Sequence, residues 1–357
     1  MKAAVMYGAN QPLVIEDVEI DEPAAGEVLV RTAASGVCHS DLHFMEGSYP
    51  SQVPIVLGHE SAGVVERVGP QVKTVSPGDR VVVAFVASCG QCDNCTLGKP
   101  YLCMTTAALG RPGRLRLRGE VLHQFANMSA FAEYQLVSAS ACVKVPEGVP
   151  LECAALVGCS VMTGVGAATN TAKVPAGSTV AVIGAGGVGL NIIQGAVLAG
   201  ASRVIAVDLL ESKLAAAREF GATDVVDASK DDAVAKVVSM TNGGVDFAFE
   251  AIGLAKTAEQ AFAMAKRGGR AVVVGMIPVT QMITVPGAAF LGEKGIIGSF
   301  YGSTRQTYDM PWLMELYRQK RLKIDELISR RWKLEKINEA YAALKAGEVN
   351  RSVITFD

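Results

Sequence analysis

Between an apolar run, Thr179 to Ile183, and a helix-period stretch, Leu190 to Leu198, lies the turn Gly184-Ala185-Gly186-Gly187-Val188-Gly189. G-x-G-x-x-G in that setting leaves few folds open, because it requires a strand, a tight turn and a helix in immediate succession. Gly184 permits the turn, Gly186 lets backbone approach a ligand phosphate, and Gly189 permits close packing of helix on strand. Gly187 and Val188 lead into a helix N-terminus, which offers free N–H groups and a positive dipole end to a pyrophosphate. The next strand candidate ends at Asp208, nineteen residues after Gly189. A carboxylate there accepts hydrogen bonds from adenosine ribose hydroxyls and repels a 2′-phosphate, so these residues favour NAD over NADP.

The same grammar repeats around the turn. Strand candidates Arg203 to Val207, Asp224 to Val226, Asp246 to Glu250 and Arg270 to Gly275 alternate with helix-period stretches Glu211 to Phe220 and Ala233 to Met240. Such alternation predicts an α/β, doubly wound parallel sheet with helices on both faces. The first 150 residues read differently, as short β-rich runs (Val28 to Thr32, Ser61 to Arg67, Arg80 to Phe85) broken by turn residues. After Gly298 the alternation stops. Pro311 to Gln319 and Glu335 to Lys345 read as amphipathic helices and Ser352 to Phe356 as a closing strand, a piece able to rejoin the first domain. At about 150 residues per domain, 357 residues fit two domains or one large one.

Half the residues are apolar, 19% are charged, and the formal net charge is −2, which excludes a disordered chain. Near-zero charge also argues against electrostatic attraction to nucleic acid or to an anionic membrane. Arg111, Arg114, Arg116 and Arg118 alternate with Leu115 and Leu117 in a period-2 pattern, which reads as the solvated face of an edge strand. No apolar run reaches about 18 residues, and the start of the chain has no secretory pattern; a soluble, cytoplasmic protein is expected.

Eight cysteines in such a chain point to metal or catalysis rather than to disulfides. Cys89, Cys92, Cys95 and Cys103 form C-x2-C-x2-C-x7-C, a spacing that closes four thiolates around one tetrahedral Zn²⁺. Cys142 and Cys153 lack such spacing and read as small buried hydrophobes; His123 stands alone and reads as an ordinary polar residue. A second cluster places Cys38, His39, Ser40, Asp41 and His43 within six positions, and His59 beside Glu60 lies further along the chain. A soft thiolate and an imidazole suit zinc, a third ligand must come from elsewhere, and Cys159 is the best remaining candidate.

With these residues in place, the chain resembles the zinc-dependent alcohol dehydrogenases of the medium-chain dehydrogenase/reductase superfamily. Gly58-His59-Glu60-x2-Gly63-x5-Gly69-x2-Val72 fits that family's zinc signature, and the four-cysteine spacing and the Gly-rich turn lie where the family has them. The resemblance implies a GroES-like, β-rich catalytic domain from residues 1–160 and 301–357, with a Rossmann domain of residues 161–300 between them and the active site in a cleft. It implies two zinc ions per subunit, one catalytic on Cys38, His59 and Cys159, the other structural on the four-cysteine lobe. Asp41 resembles the acid that orients His59, and Glu60 the acid that modulates the metal. Ser40 and His43 hold the positions of the family's proton path. Thr163 and Val188 resemble residues packing the nicotinamide, Lys213 one near the adenosine ribose, and Arg351 and His39 contacts at the pyrophosphate.

The chemistry this resemblance implies is oxidation of an alcohol to an aldehyde or ketone, or the reverse reduction, by hydride transfer to or from NAD. A free alcohol has a pKa near ~16, and Zn²⁺ lowers that of a bound hydroxyl by many units. The positions that hold glutathione in glutathione-dependent formaldehyde dehydrogenases align with Tyr49 and Ala107, which carry no charge. Cys159 argues against the polyol branch, which has Glu there. Phe85 and Phe125 are expected to line an apolar pocket for medium-sized or aromatic primary alcohols. Relatives are dimers or tetramers, and the long segment after Cys103 favours a homodimer. Two other readings compete: a zinc-independent quinone or enone reductase, which lacks the ligands present here, and a zinc-binding, nucleic-acid-associated protein that uses the four-cysteine lobe and the Arg run.

Overall fold

The computed structural model describes residues 1–110 and 112–356, and these form two compact units. One is built from residues 1–160 with the chain from 305 onward, the other from Val161–Thr304. The second unit runs four residues past the expected end at 300, for a local reason. Thr171 Oγ1 bonds both Ser299 Oγ (2.9 Å) and Ser303 Oγ (2.7 Å), and Asn170 Nδ2 donates to Gly302 O at 3.3 Å.

In the second unit six parallel strands lie in the order Asp224–Asp227, Arg203–Asp208, Thr179–Ile183, Val245–Glu250, Ala265–Val273, Gly295–Gly298. Numbered along the chain this is 3-2-1-4-5-6, the doubly wound dinucleotide-binding order. Ala181, Ile183, Ile205 and Val207 are buried on one face of the sheet and Val180, Val182, Val204 and Ala206 on the other, which explains their near-continuous apolar runs. Helices Gly187–Leu198, Glu211–Glu219 and Ala233–Met240 coincide with the expected stretches. A further helix, Ala255–Met264, lies outside those stretches and buries Ala258, Ala261, Phe262 and Met264.

The first unit is β-rich. Its seven-stranded sheet centres on Glu27–Val37, which pairs antiparallel with Ser61–Val68, Tyr134–Ser138 and the C-terminal strand Arg351–Thr355. Val353 sits opposite Gly36 and Ser352 opposite Val37, so the last strand, with Ile328–Lys333 on its other side, runs beside residue 38. The helix expected from Pro311 begins earlier, at Gln306. Asp309 explains it, taking Arg305 N at 2.6 Å and the Arg305 guanidinium at 3.0 Å and so organising a turn before the proline.

Two expectations need correction. The Arg run is not uniformly solvated: Arg116 and Arg118 are exposed, but Arg114 is buried, with Nε on Gln124 Oε1 (2.5 Å) and Nη2 on Asn127 O (3.2 Å). Arg111 lies outside the described residues. The alternation itself is present, since Leu115 and Leu117 point into the core from a short hairpin strand. Helix Leu151–Thr171, 21 residues at mean hydropathy 1.6, is long and apolar enough to cross a membrane, although Ser and Thr interrupt its apolar residues. Since 83% of its most apolar window is buried inside the protein, it is a core helix.

Candidate active site

The strand Glu27–Val37 delivers Cys38 to the start of helix His39–Met45. His59 and Glu60 come directly after Gly58, at the entry to strand Ser61–Val68. Cys159 lies in the π-helical segment Val157–Val161, an irregularity that widens the helix locally and recurs at functional sites. All three side chains are buried, and their ligand atoms lie within 4.8 Å of one another, His59 Nε2 and Cys159 Sγ at 3.3 Å. Tetrahedral zinc, at about 2.3 Å from sulfur and 2.0 Å from nitrogen, puts its ligands roughly 3.5–3.8 Å apart. The donor set therefore fits Zn²⁺, and with three protein ligands it leaves one position for a small molecule.

Asp41 fixes the imidazole. Its Oδ1 lies 3.1 Å from His59 Nδ1 and accepts from Gly58 N at 3.0 Å, which presents Nε2 to the metal position. Glu60 Oε1 accepts from Ser160 N (3.0 Å) and Ser160 Oγ (2.6 Å), and Oε2 pairs with Arg351 Nη2 at 2.8 Å. The same Nη2 lies 3.4 Å from Cys38 Sγ. Arg351 is 2% exposed, so in this structure its guanidinium serves the cysteine and glutamate.

These contacts set the protonation pattern. A hydrogen bond from Cys159, with Arg351 and His59 nearby, holds the Cys38 thiol well below its ordinary value. The Cys159 thiol is pushed well above its own, by that bond and by burial. Burial draws His59 down, but Asp41 and Cys38 outweigh it and the net shift is well upward. A divalent cation entering such a cluster displaces protons.

Around the ligands stand aromatic edges. Phe85 meets the His59 ring at 5.5 Å and 88°, and Phe125 meets it at 5.7 Å and 74°. Phe44 packs edge-on against Phe125 at 4.7 Å. Ser40 Oγ is 3.7 Å from Cys38 Sγ, and His43, half-buried, lies along the same helix. His39 is at the helix start.

The four-cysteine lobe is a second donor set, with all four sulfurs within 4.8 Å of one another. Backbone N–H groups of Gln91 and Cys92 point at Cys89 Sγ (3.5 and 3.3 Å), and that of Cys89 at Cys103 Sγ (3.3 Å). Burial opposes it, yet the Cys89 amide and the Thr105 hydroxyl bring the Cys103 thiol down to about 6. Cys142 and Cys153 join neither set; burial raises each to about 12, and Cys153 Sγ lies 3.0 Å from Asp325 Oδ1. His123 is half-buried on the strand Glu120–Gln124.

In the second unit the Gly-rich turn has the shape its spacing predicts. A Cβ on Gly189 would lie 1.7 Å from Gly184 O, whereas one on Gly186 would meet nothing within 4 Å, which leaves the backbone open to a pyrophosphate. Asp208 braces the turn: Oδ2 accepts from Ala185 N (2.8 Å) and Oδ1 from Leu209 N (2.8 Å) and Leu210 N (3.1 Å). Lys213 is buried, which lowers it, with Asp208 acting the other way. The segment carrying Thr163 packs against the helix that carries Val188. Sequence spacing missed Glu250, a buried acid whose Oε1 takes Ile252 N (2.8 Å), Gly253 N (2.7 Å) and Thr257 Oγ1 (2.8 Å). It shapes the loop beside Gly184, and no local motif announces it.

Residues 24–147 match the alcohol dehydrogenase GroES-like domain, and residues 187–319 match the zinc-binding dehydrogenase domain. S-(hydroxymethyl)glutathione dehydrogenase of Saccharomyces cerevisiae is 38% identical over 370 residues, covering 99% of this chain and 96% of that protein. An alcohol dehydrogenase zinc-binding domain protein from Burkholderia ambifaria has TM-score 0.94 at 37% identity, covering 100% of this chain and 98% of the other. Benzyl alcohol dehydrogenase from Acinetobacter calcoaceticus has TM-score 0.94 at 33% identity, covering 100% and 99%.

Proposed function

Because the chain belongs to the zinc-dependent alcohol dehydrogenases of the medium-chain dehydrogenase/reductase superfamily, we propose that it interconverts medium-sized or aromatic primary alcohols and their aldehydes with NAD. The observation that carries this reading is the trio Cys38, His59 and Cys159, flanked by the edges of Phe85 and Phe125. Two cysteines and one histidine are the ligand set known for the catalytic zinc of alcohol dehydrogenases. When bound there, Zn²⁺ supplies Lewis-acid polarisation that lowers the pKa of a hydroxyl.

The chain's own residues do the rest. Asp41 holds the His59 tautomer, and Arg351 stabilises negative charge on Cys38. Ser40, beside Cys38, accepts the substrate's proton as it releases its own toward the nicotinamide ribose, and half-buried His43 on the same helix delivers a proton to solvent. Phe85, Phe125 and Phe44 exclude water and offer ring edges to an aryl or alkyl group. A second zinc on Cys89, Cys92, Cys95 and Cys103 is structural, since four thiolates leave no open position.

A panel of alcohols assayed by NADH formation tests the substrate class, with S-(hydroxymethyl)glutathione as one member because of the yeast relative. We expect benzyl-type alcohols to lead the panel. Leadership by the glutathione adduct would overturn the inference drawn from Tyr49 and Ala107. Preference for NAD comes from the Asp208 charge, so Asp208→Asn should raise the NADP-to-NAD ratio of kcat/KM by about tenfold or more. Asn keeps one acceptor oxygen for the turn, and an unchanged ratio would count against the ribose contact.

We further propose a homodimer in the cytoplasm, the reducing compartment that suits eight unpaired thiols. Strand Gly295–Gly298 pairs on one side only among the described residues, and Met282 and Leu291, 82% and 88% exposed, belong to the same unit. A two-fold axis at such an edge lets it pair with its own copy. Sedimentation equilibrium should give twice the chain mass, and Leu291→Glu should shift it toward the monomer; a wild-type monomer would exclude the arrangement.

A further inference from the structure

Two buried polar atoms beside the His59 cluster have no hydrogen-bond partner among the described residues: the Tyr341 hydroxyl and Asp41 Oδ2. Asp41 is fully buried, and its other oxygen already serves Gly58 N and His59 Nδ1. Tyr341, on helix Ile337–Lys345, is 3% exposed and packs in one core cluster with Leu42 and Met45, which share the helix of Asp41. Phe131 meets its ring edge-on at 6.0 Å and 84°.

Packing gives no reason for the hydroxyl. The neighbours in that cluster include Leu42, Met45, Leu57 and Phe131, and phenylalanine would fill the same volume without a polar atom to satisfy. A buried donor and a buried acceptor left apart cost more than the same two joined. Burial, and after it the charge of Asp41, pushes Tyr341 well above its ordinary value, so its O–H remains a donor.

We propose that Tyr341 is a positioning residue of the metal centre: its hydroxyl, unpartnered in this structure, donates to the likewise unpartnered Asp41 Oδ2 when zinc is bound and so fixes the carboxylate that orients His59. The proposal rests on the zinc reading above. It ties helix Ile337–Lys345, near the chain's C-terminus, to a ligand near its N-terminus, through atoms that touch neither substrate nor metal.

The test measures zinc release from the loaded, full-length protein into a chromogenic chelator. Release from this site is the phase absent from Cys159→Ala. Outer partners of metal ligands are commonly worth 10–100-fold in affinity, so Tyr341→Phe is expected to speed that phase about tenfold and leave release from the four-cysteine lobe unchanged. In cobalt-substituted protein the visible band of this site should shift as well. Phe131→Leu, which disturbs the packing and keeps the hydroxyl, should lower the melting temperature without speeding the phase. In an Asp41→Asn background, Tyr341→Phe should add nothing to either readout. Release rates within twofold of wild type, or an equal acceleration in both backgrounds, would overturn the proposal. A wild type that lacks any phase dependent on Cys159 would overturn the zinc reading itself, and this proposal with it.

Discussion

Replacing Cys38 by alanine should lower kcat/KM by about three orders of magnitude or more while the protein stays folded. Lewis-acid polarisation of a substrate oxygen is worth several kcal/mol of transition-state stabilisation, and about 4 kcal/mol corresponds to a thousandfold in rate. Losing one of three protein ligands removes the ion or displaces it, so zinc content should fall from about two to about one per chain. The fold has reason to survive: the Arg351–Glu60 pair at 2.8 Å does not pass through Cys38, and neither do the bonds of Glu60 to Ser160. Cys142→Ala is the matched control. Its thiol is also buried and lies in neither donor set, so it should cost about 1 kcal/mol of stability and no activity. Circular dichroism, metal analysis and the alcohol assay on both variants decide the matter. Retention of two zinc ions with full activity in Cys38→Ala would remove Cys38 from the ligand set and leave the proposed chemistry without its centre.

Much of this site is legible in the amino-acid sequence because its parts are local. Cys38 to His43 falls within a short stretch of chain, His59 and Glu60 are adjacent, and the glycine spacing at residues 184–189 encodes a backbone shape directly. Cys159 is harder, since spacing alone makes it only the best remaining thiol; the π-helical segment that places it leaves no mark in composition. Arg351 is harder still. Its guanidinium reaches Cys38 and Glu60 only because the last strand pairs beside Val37, a contact across 313 residues that no window detects. In the fold, the parallel sheet is legible because its strands are apolar on both faces and short helices punctuate them. Helix Ala255–Met264 goes unread although its buried residues Ala258, Ala261 and Phe262 recur at helical spacing. Arg114 shows the opposite failure. An arginine in an alternating run reads as solvent-facing until tertiary partners, here Gln124 Oε1 and the Asn127 carbonyl, bury it.

The other large effect is expected in the four-cysteine lobe, where Cys103→Ala should destroy local order without emptying the catalytic site. The short helices of the lobe, Asp93–Thr96, Pro100–Leu102 and Thr106–Leu109, contribute no buried residue, and Leu97 and Met104 are each 71% exposed. A segment without an apolar core has little to hold it except the sulfur cluster and the ion that cluster fits. Structural zinc is worth about 10–16 kcal/mol to small zinc-folded peptides, far more than the few hydrogen bonds available here. Loss of even about 4 kcal/mol of local stability lowers amide protection about a thousandfold, so hydrogen exchange across residues 89–103 should become fast in the variant while the parallel sheet stays protected. One zinc should remain, bound by Cys38, His59 and Cys159, and residual activity should track the fraction of protein that stays soluble. The competing account is that the lobe hangs on its ties to the β-rich unit. Thr106 Oγ1 donates to Ala87 O at 2.5 Å, and Asn127 Nδ2 donates to Thr106 O at 3.0 Å. Under that account the exchange pattern of Cys103→Ala matches wild type and Thr106→Ala produces the loosening instead, so comparing the two variants identifies which interaction holds the segment.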